Sequence, residues 1–317
     1  MKPEDPDTVI RIVISESMDA PAVAQLVREF DVDYRPSLVD DPQALGKALA
    51  TADAWIVRNR TQVRGELLAA AGRLRVVGRL GVGLDNIDLE ACRSRNIRVF
   101  PAVGANAESV AEYVVAVAMV LLRGAYFSTA AVAAGRWPRA MLSQGHEIAG
   151  KTLGLVGFGS IGQVTAAKAK ALGLRVVAFD PGVSADDPAW SRHGVERVDL
   201  DALLAGSDVV SLHVPLVAAT RGLLDAGRLA RMKKGSVLVN TARGGIVDEA
   251  ALAKALQEGH LGGAALDVFD DEPLGAGGPL GEAPNLILTP HIAGVTAESN
   301  ERVSGIVARL VAEALGS

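Results

Sequence analysis

The sequence predicts an α/β protein of two parallel-sheet units, and three observations carry that prediction. Short apolar, β-branched runs alternate with helical patterns along nearly all of the 317 residues. One of these runs, Leu153 to Val156, ends in Gly157-x-Gly159-x-x-Gly162, and a small-residue helical pattern and a second apolar run come after it. Finally, a chain of this length has room for two domains of about 150 residues each.

Taken in order, Val9 to Ile14 reads as strand, Pro21 to Phe30 as helix, Val32 to Tyr34 as a short strand and Asp41 to Ala50 as helix. Ala54 to Val57 is a strand that stops at Arg58-Asn59-Arg60-Thr61. Val63 to Ala71 is helix, Arg75 to Gly78 strand, Leu89 to Arg95 helix and Ile97 to Phe100 strand. Pro101 to Gly104 reads as a linker. Asn106 to Arg123 is a long helix, and Ala125 to Gly135 a second, alanine-rich one. Helices so apolar belong in a core or a subunit interface. After the glycine motif come strands near Val195 and over Asp208–Leu212, Val237–Asn240, Ala264–Leu266 and Leu286–Leu288. Helices over Leu200–Leu204, Asp225–Met232 and Asp248–Glu258 separate them. Thr296 to Leu315 closes the chain as a long helix with Thr296 as its cap.

The glycine motif has a specific physical reading. Gly157 permits the tight turn, Gly159 lets the backbone approach a pyrophosphate, and Gly162 lets helix and strand pack closely. The helix start then offers unpaired N–H groups to phosphates. Asp180 lies 18 residues after Gly162, the position from which an acid accepts the ribose hydroxyls of NAD. This is a Rossmann-type site for NAD. The charge of Asp180 disfavours NADP.

Composition narrows the partners. The residues are 49% hydrophobic and 22% charged, with a net charge of -5; this gives no reason to expect nucleic acid or a membrane. Cys92 is the single cysteine, which fits a reducing, cytoplasmic setting and a packing role. The stretch Met1–Asp7 does not read as a signal peptide, and Tyr113 to Leu122 is too short to span a bilayer. The five histidines lack metal-ligand spacing, so no metal is expected.

Chemistry is expected at three strand ends. Arg243 comes directly after a strand and precedes two glycines; its fork can grip a carboxylate at two points. Glu272 lies in an acidic loop after another strand, and His291 at the end of a third. Singly, each is an ordinary surface feature. Together, a histidine poised for proton transfer, a glutamate favouring its protonated form and an arginine near a nicotinamide suit hydride transfer to or from a 2-keto acid.

Segments running nearly end to end carry a resemblance. They include Val57 to Thr61, Val77 to Asp88, the glycine motif, His213 to Leu216, Thr241 to Asp248, Ala264 to Phe269 with Glu272-Pro273, and Thr289-Pro290-His291. By these the chain resembles the D-2-hydroxyacid dehydrogenase family, in particular its phosphoglycerate dehydrogenase branch. The resemblance implies a Rossmann-type NAD domain, residues 102–290, inserted in a flavodoxin-like substrate domain of residues 1–101 and 291–317. It implies that Arg243 orients the substrate, that His291 is the acid–base group and that Glu272 pairs with it. It places Ser160, Ile161, Asp180, Val214, Thr241 and Asp267 along NAD, and a homodimer interface at the helix from Asn106. Ending at Ser317, the chain is expected to lack the regulatory domain often found in that branch. Val82 stands where a threonine is frequent.

Substrate contacts are expected from Arg58, Arg60, Gly81, Val82, Gly83 and Arg139, with Arg79 nearby. So many arginines exceed the need of one carboxylate. They point to a 2-hydroxy or 2-keto acid with a second anionic group on carbon 3, phosphate or sulfonate, with Arg60→Ala expected to penalise such a substrate more than glyoxylate. Val57 to Val63 and Leu121 to Tyr126 are also similar to bacterial sulfolactate dehydrogenases. A general hydroxypyruvate or glyoxylate reductase and a non-catalytic NAD sensor remain alternatives.

Overall fold

A computed structural model describes residues 9–316; the Met1–Asp7 stretch read as no signal peptide lies outside the described residues. The chain divides into two compact units, Met1–Asn106 with Val295–Ser317, and Ala107–Gly294.

The first unit holds strands β1 (Arg11–Ile14), β2 (Asp31–Tyr34), β3 (Ala54–Val57), β4 (Val76–Arg79) and β5 (Arg98–Pro101). All pairs are parallel, in the order β2-β1-β3-β4-β5. Strand alternation sorts the side chains. Ile12, Ile14 and Ile56 pack with Val303, Val307 and Val311, while Val13, Trp55 and Val57 pack with Leu45, Leu49, Leu68 and Cys92 on the other face. Burial pushes the Cys92 thiol pKa up, in keeping with a packing role. The helix Ala297–Gly316 lies so close to β4 that a Cβ at Gly78 would come within 2.7 Å of Val307. Thr296 starts that helix with reciprocal bonds, its Oγ1 accepting the Ser299 N–H and Ser299 Oγ accepting its own.

The second unit holds β6 (Thr152–Val156), β7 (Arg175–Phe179), β8 (Glu196–Arg197), β9 (Val209–Leu212), β10 (Val237–Asn240), β11 (Gly263–Leu266) and β12 (Leu286–Leu288). They form one parallel sheet ordered β12-β11-β10-β9-β6-β7-β8. Strands β9, β10 and β11 are buried throughout, as strands covered on both faces must be. Val110, Val114 and Leu121 of the helix Ala107–Arg123 cover one face of the sheet beside Leu155 and Val239. Leu203, Leu229 and Leu256 cover the other.

Each sheet has a switch point where the strand order reverses. In the first unit it lies between β1 and β3, in the second between β6 and β9. Ligands bind outside the carboxyl ends of strands at such points. The residues after β1 and β3 are Ser15-Glu16 and Arg58–Thr61; those after β6 and β9 are the glycine motif and His213-Val214.

The α/β class and the parallel sheets are as the sequence predicts; several elements differ in detail. Asp41, Asp225 and Asp248, read as the first helical residues, are caps instead. Their carboxylates accept the N–H groups of Ala44, Arg228 and Ala251, so each helix starts one residue later. The helix Pro188–His193 was not anticipated, although Asp187 caps it and Gly194 ends it in a left-handed conformation. Only Ala189 and Trp190 are buried in it, too few to show a helical period. The long helix starts at Ala107 and stops at Gly124, whose φ is 65°. Beyond Gly124 the chain forms not one buried helix but a 3₁₀ turn, Ala125–Ser128, and a short helix, Thr129–Ala133, with no buried residue. Tyr126 is 65% and Trp137 76% exposed. Among the described residues no single helix is long and apolar enough to cross a membrane. Only the pair Ala107–Arg123 and Ala125–Ala133, bent by 64°, reaches that length and composition together, and the first of them is part of the second unit's core.

Candidate active site

Arg243, Glu272 and His291 come after β10, β11 and β12, three neighbouring strands. Parallel pairing in register, with Asn240 beside Leu266 and Leu266 beside Leu288, brings their loops to one edge of the sheet.

His291 Nδ1 is 2.8 Å from Glu272 Oε2, and the other Glu272 oxygen accepts the Phe269 N–H at 3.1 Å. The carboxylate is therefore oriented before it orients the imidazole. His291 itself has a φ of 56°, a left-handed conformation that is costly for a side-chain-bearing residue. It is held there by N–H bonds to the carbonyls of Asp267 and Thr289. Asp267, 1% exposed, grips the rest of the turn: it accepts from Thr289 Oγ1 at 2.6 Å and from the N–H groups of Ile292 and Ala293, each at 2.8 Å. Tyr113 Oη lies 2.7 Å from Thr289 Oγ1 and extends this chain of bonds. Asp267, expected along NAD, thus commits both its oxygens to the histidine turn.

The Arg243 loop is braced by Asn240, whose Oδ1 accepts the Ala242 N–H and whose Nδ2 donates to the Arg243 carbonyl. Gly244 runs against the neighbouring loop so tightly that a Cβ there would lie 1.8 Å from the Phe269 carbonyl oxygen. The Gly245 N–H donates to Asp270 Oδ1 at 2.6 Å. The arginine loop and the glutamate loop are thus one packed piece.

The glycine motif fits a dinucleotide. Gly157 has a φ of 104°, and a Cβ on it would lie 2.6 Å from the His213 carbonyl oxygen. A Cβ on Gly162 would lie 2.5 Å from the Gly157 oxygen, whereas Gly159 opens onto free space. The helix Ser160–Ala171 starts at Gly159 with no side-chain cap, leaving the first N–H groups, those of Ser160 and Ile161 included, for an anion. Asp180 accepts the N–H of Phe158 at 2.7 Å and of Gly182 at 2.8 Å, each oxygen keeping a lone pair for a ribose hydroxyl. Val214 borders Gly157. Thr241 Oγ1 is buried with no hydrogen-bond partner, a group that a ligand would satisfy. Next to this cradle, desolvation of the His213 ring pushes its pKa down to about 4, and its Nε2 lies 3.0 Å from Ser211 Oγ.

In the first unit, Arg58 and Arg60 share a loop but differ in environment. The Arg60 guanidinium is exposed and ion-paired to Asp40 at 2.5 Å. Arg58 is half-buried and donates through Nη2 to Asn300 Oδ1; among the described residues no carboxylate is ion-paired with it. Desolvation lowers its pKa, which Glu16 and Tyr34 partly offset. Gly81 has a φ of 147°, and a Cβ on it would collide with the Arg79 guanidinium; Val82 and Gly83 continue the same loop. Arg139 is exposed on a short helix, Arg139–Leu142, of the second unit. Sequence reasoning missed Glu16 and Asn300. An acid two residues beyond a β-branched strand was a signal for the first. Nothing in the amphipathic pattern of the last helix marked the second.

Residues 115–293 match the family model for the D-isomer specific 2-hydroxyacid dehydrogenase NAD binding domain. The (S)-sulfolactate dehydrogenase of Chromohalobacter salexigens is 56% identical over 306 residues, covering 96% of this chain and 98% of that protein. The D-3-phosphoglycerate dehydrogenase of Mycobacterium tuberculosis is 42% identical over 307 residues, 96% of this chain but only 56% of that longer protein. Among solved structures, the TT0316 protein of Thermus thermophilus superposes with a TM-score of 0.87 at 35% identity, over 97% of both chains. The chain therefore belongs to the D-isomer specific 2-hydroxyacid dehydrogenases, NAD-dependent oxidoreductases that interconvert 2-hydroxy and 2-keto acids.

Proposed function

We propose that the substrate carries a second anionic group on carbon 3, sulfolactate and its keto acid sulfopyruvate being the first pair to test and 3-phosphoglycerate the second. The observation that carries this reading is Arg58, a half-buried guanidinium at the carboxyl edge of its sheet whose charge meets no carboxylate ion pair among the described residues. The high identity to a sulfolactate dehydrogenase over nearly its full length supports it.

In this reading Arg243 grips the substrate carboxylate and fixes carbon 2. Bound NAD supplies the hydride acceptor. His291 takes the proton of the 2-hydroxyl at Nε2, because Nδ1 is already turned to Glu272. Glu272 stabilises the imidazolium that results and holds its orientation. In reduction the same proton returns to the carbonyl oxygen. Gly157, Gly159, Ser160, Ile161, Gly162, Asp180, Val214 and Thr241 hold the dinucleotide. Gly81, Val82 and Gly83 offer backbone contacts to the substrate. The exposed apolar residues Tyr126, Phe127, Trp137 and Met141 are covered in a cytoplasmic homodimer through the region of the helix Ala107–Arg123, with Arg139 reaching the partner's substrate; sedimentation of a monomer at micromolar concentration would exclude this.

The test is NADH oxidation with sulfopyruvate, phosphohydroxypyruvate, hydroxypyruvate and glyoxylate. A kcat/KM at least tenfold higher for one of the first two is expected. A preference for hydroxypyruvate or glyoxylate would replace this reading with that of a general keto-acid reductase. Binding of NADH without turnover on any of the four would count against this substrate class and favour the NAD-sensor reading.

A further inference from the structure

We propose that Glu16 is a positioning residue for recognition of the substrate's second anion, acting through the loop that carries Arg58. This role rests on the dianionic substrate proposed for the site.

Glu16 comes after β1 at the switch point of the first sheet and is 5% exposed. Its carboxylate is spent on a single loop. Oε1 accepts the N–H groups of Arg58 at 2.8 Å and Thr61 at 3.0 Å, and Oε2 accepts that of Arg60 at 3.2 Å. The same loop is held from its carbonyl side. Asn86 Nδ2 donates to the carbonyls of Arg58 at 3.2 Å and Thr61 at 2.7 Å. Ser15 Oγ, which accepts the Trp55 indole N–H at 3.0 Å, lies 3.3 Å from Thr61 Oγ1. Four residues of loop are thus fixed on both backbone faces.

This arrangement does something a plain ion pair would not. Burying a carboxylate is costly unless donors surround it, and here the donors are amides, not the guanidinium. Arg58 is therefore aimed by Glu16 without being neutralised by a carboxylate at contact distance. Asn300 holds one Nη of Arg58 by an uncharged bond. The Glu16 charge stays close enough to favour the charged guanidinium. A guanidinium that is oriented by an uncharged partner and ion-paired with no carboxylate among the described residues, at a switch point, is what recognition of an anion requires. Preorganisation of this kind shows as selectivity for the ligand whose extra charge it meets.

The experiment measures KM for sulfopyruvate and for glyoxylate, with saturating NADH, in the native enzyme and in Glu16→Gln, Glu16→Asp and Arg58→Ala. Glu16→Gln keeps an oxygen for the Arg58 and Thr61 N–H groups, gives up the charge that strengthens both bonds and turns its NH2 toward the Arg60 N–H, so it loosens the loop from the Arg60 side. The ratio of the sulfopyruvate KM to the glyoxylate KM is expected to rise about tenfold. Amide exchange in the loop is expected to accelerate with it, most at Arg60. Glu16→Asp keeps the charge and is expected to restore the ratio to within about threefold of native, which also decides the matter should the glutamine variant not fold. Adding Glu16→Gln to Arg58→Ala is expected to change the ratio no further, because the one acts through the other. An unchanged ratio in a folded Glu16→Gln enzyme, with Arg58→Ala raising it, would overturn the role of Glu16 alone. An unchanged ratio in Arg58→Ala would overturn the dianion reading itself.

Discussion

Glu272 Oε2 stands 2.8 Å from His291 Nδ1, and this contact leaves Nε2 as the only ring nitrogen able to meet a substrate. The tautomer and the ring plane are both set by a carboxylate that the Phe269 N–H holds in turn. Glu272→Gln is therefore expected to keep the fold but lower kcat about 100-fold, and His291→Asn by about 1000-fold or more, in initial-rate NADH assays. Asparagine suits the test because it accepts the left-handed backbone at 291. A Glu272→Gln enzyme within threefold of native kcat would show that the pair is not functional.

Arg58 and Arg60 are expected to separate in kinetics. The sequence suggests Arg60 as an anion contact, but its guanidinium is ion-paired to Asp40 in the open. Arg58→Ala should raise KM for sulfopyruvate at least tenfold over its effect on glyoxylate, the value of one charge-assisted contact. Arg60→Ala should do so less than threefold. The reverse order would move the anion contact to Arg60.

His213 gives the fold a dependence on pH. Its folded pKa is about 4, below the ordinary 6.5. The unfolded chain therefore binds the extra proton as pH falls through 6.5, and stability declines by about 1.4 kcal/mol per pH unit from there to pH 4. Above pH 6.5 the contribution is complete. Urea titrations at pH 7.5, 6.0 and 5.0 should show this slope in the native chain and a flatter one in His213→Gln. Parallel slopes in the two proteins would assign the acid sensitivity to other groups.

NADH is expected to be preferred over NADPH at least 100-fold, since the Asp180 charge opposes a 2′-phosphate. Asp180→Ser should narrow that preference, measured as the ratio of the two kcat/KM values. It should also weaken NADH, because Asp180 anchors the Phe158 N–H of the glycine turn. A lower KM for NADPH than for NADH in the native enzyme would contradict the role of Asp180.

Much of the fold and of the site was legible in the sequence, and the reasons differ by residue. The strands are apolar runs bounded by loops, so their periodicity marks them directly. That Arg243, Glu272 and His291 lie at neighbouring strand ends was legible because a linear string shows where strands end. Helix starts slipped by one residue at Asp41, Asp225 and Asp248 because a capping side chain and a helical one look alike in sequence. Ala125 to Gly135 misled because apolar content alone says that a surface wants covering, not which fold feature covers it. Asp267 lies 24 residues from His291, and Glu16 lies 42 from Arg58. Such pairs exist only once adjacent strands have aligned, and no local pattern announces them.

The contact of Gly244 with the Phe269 carbonyl has a consequence for anyone re-engineering this enzyme. No side chain fits at position 244 unless one of the two loops shifts, so a change in one is felt by the other. The segment carrying Arg243 and the segment carrying Glu272 therefore behave as a single cassette, about residues 240–245 together with 267–272. Change in substrate preference is more readily sought in the Arg58–Thr61 loop, whose anchors, Glu16 and Asn86, are independent of that contact.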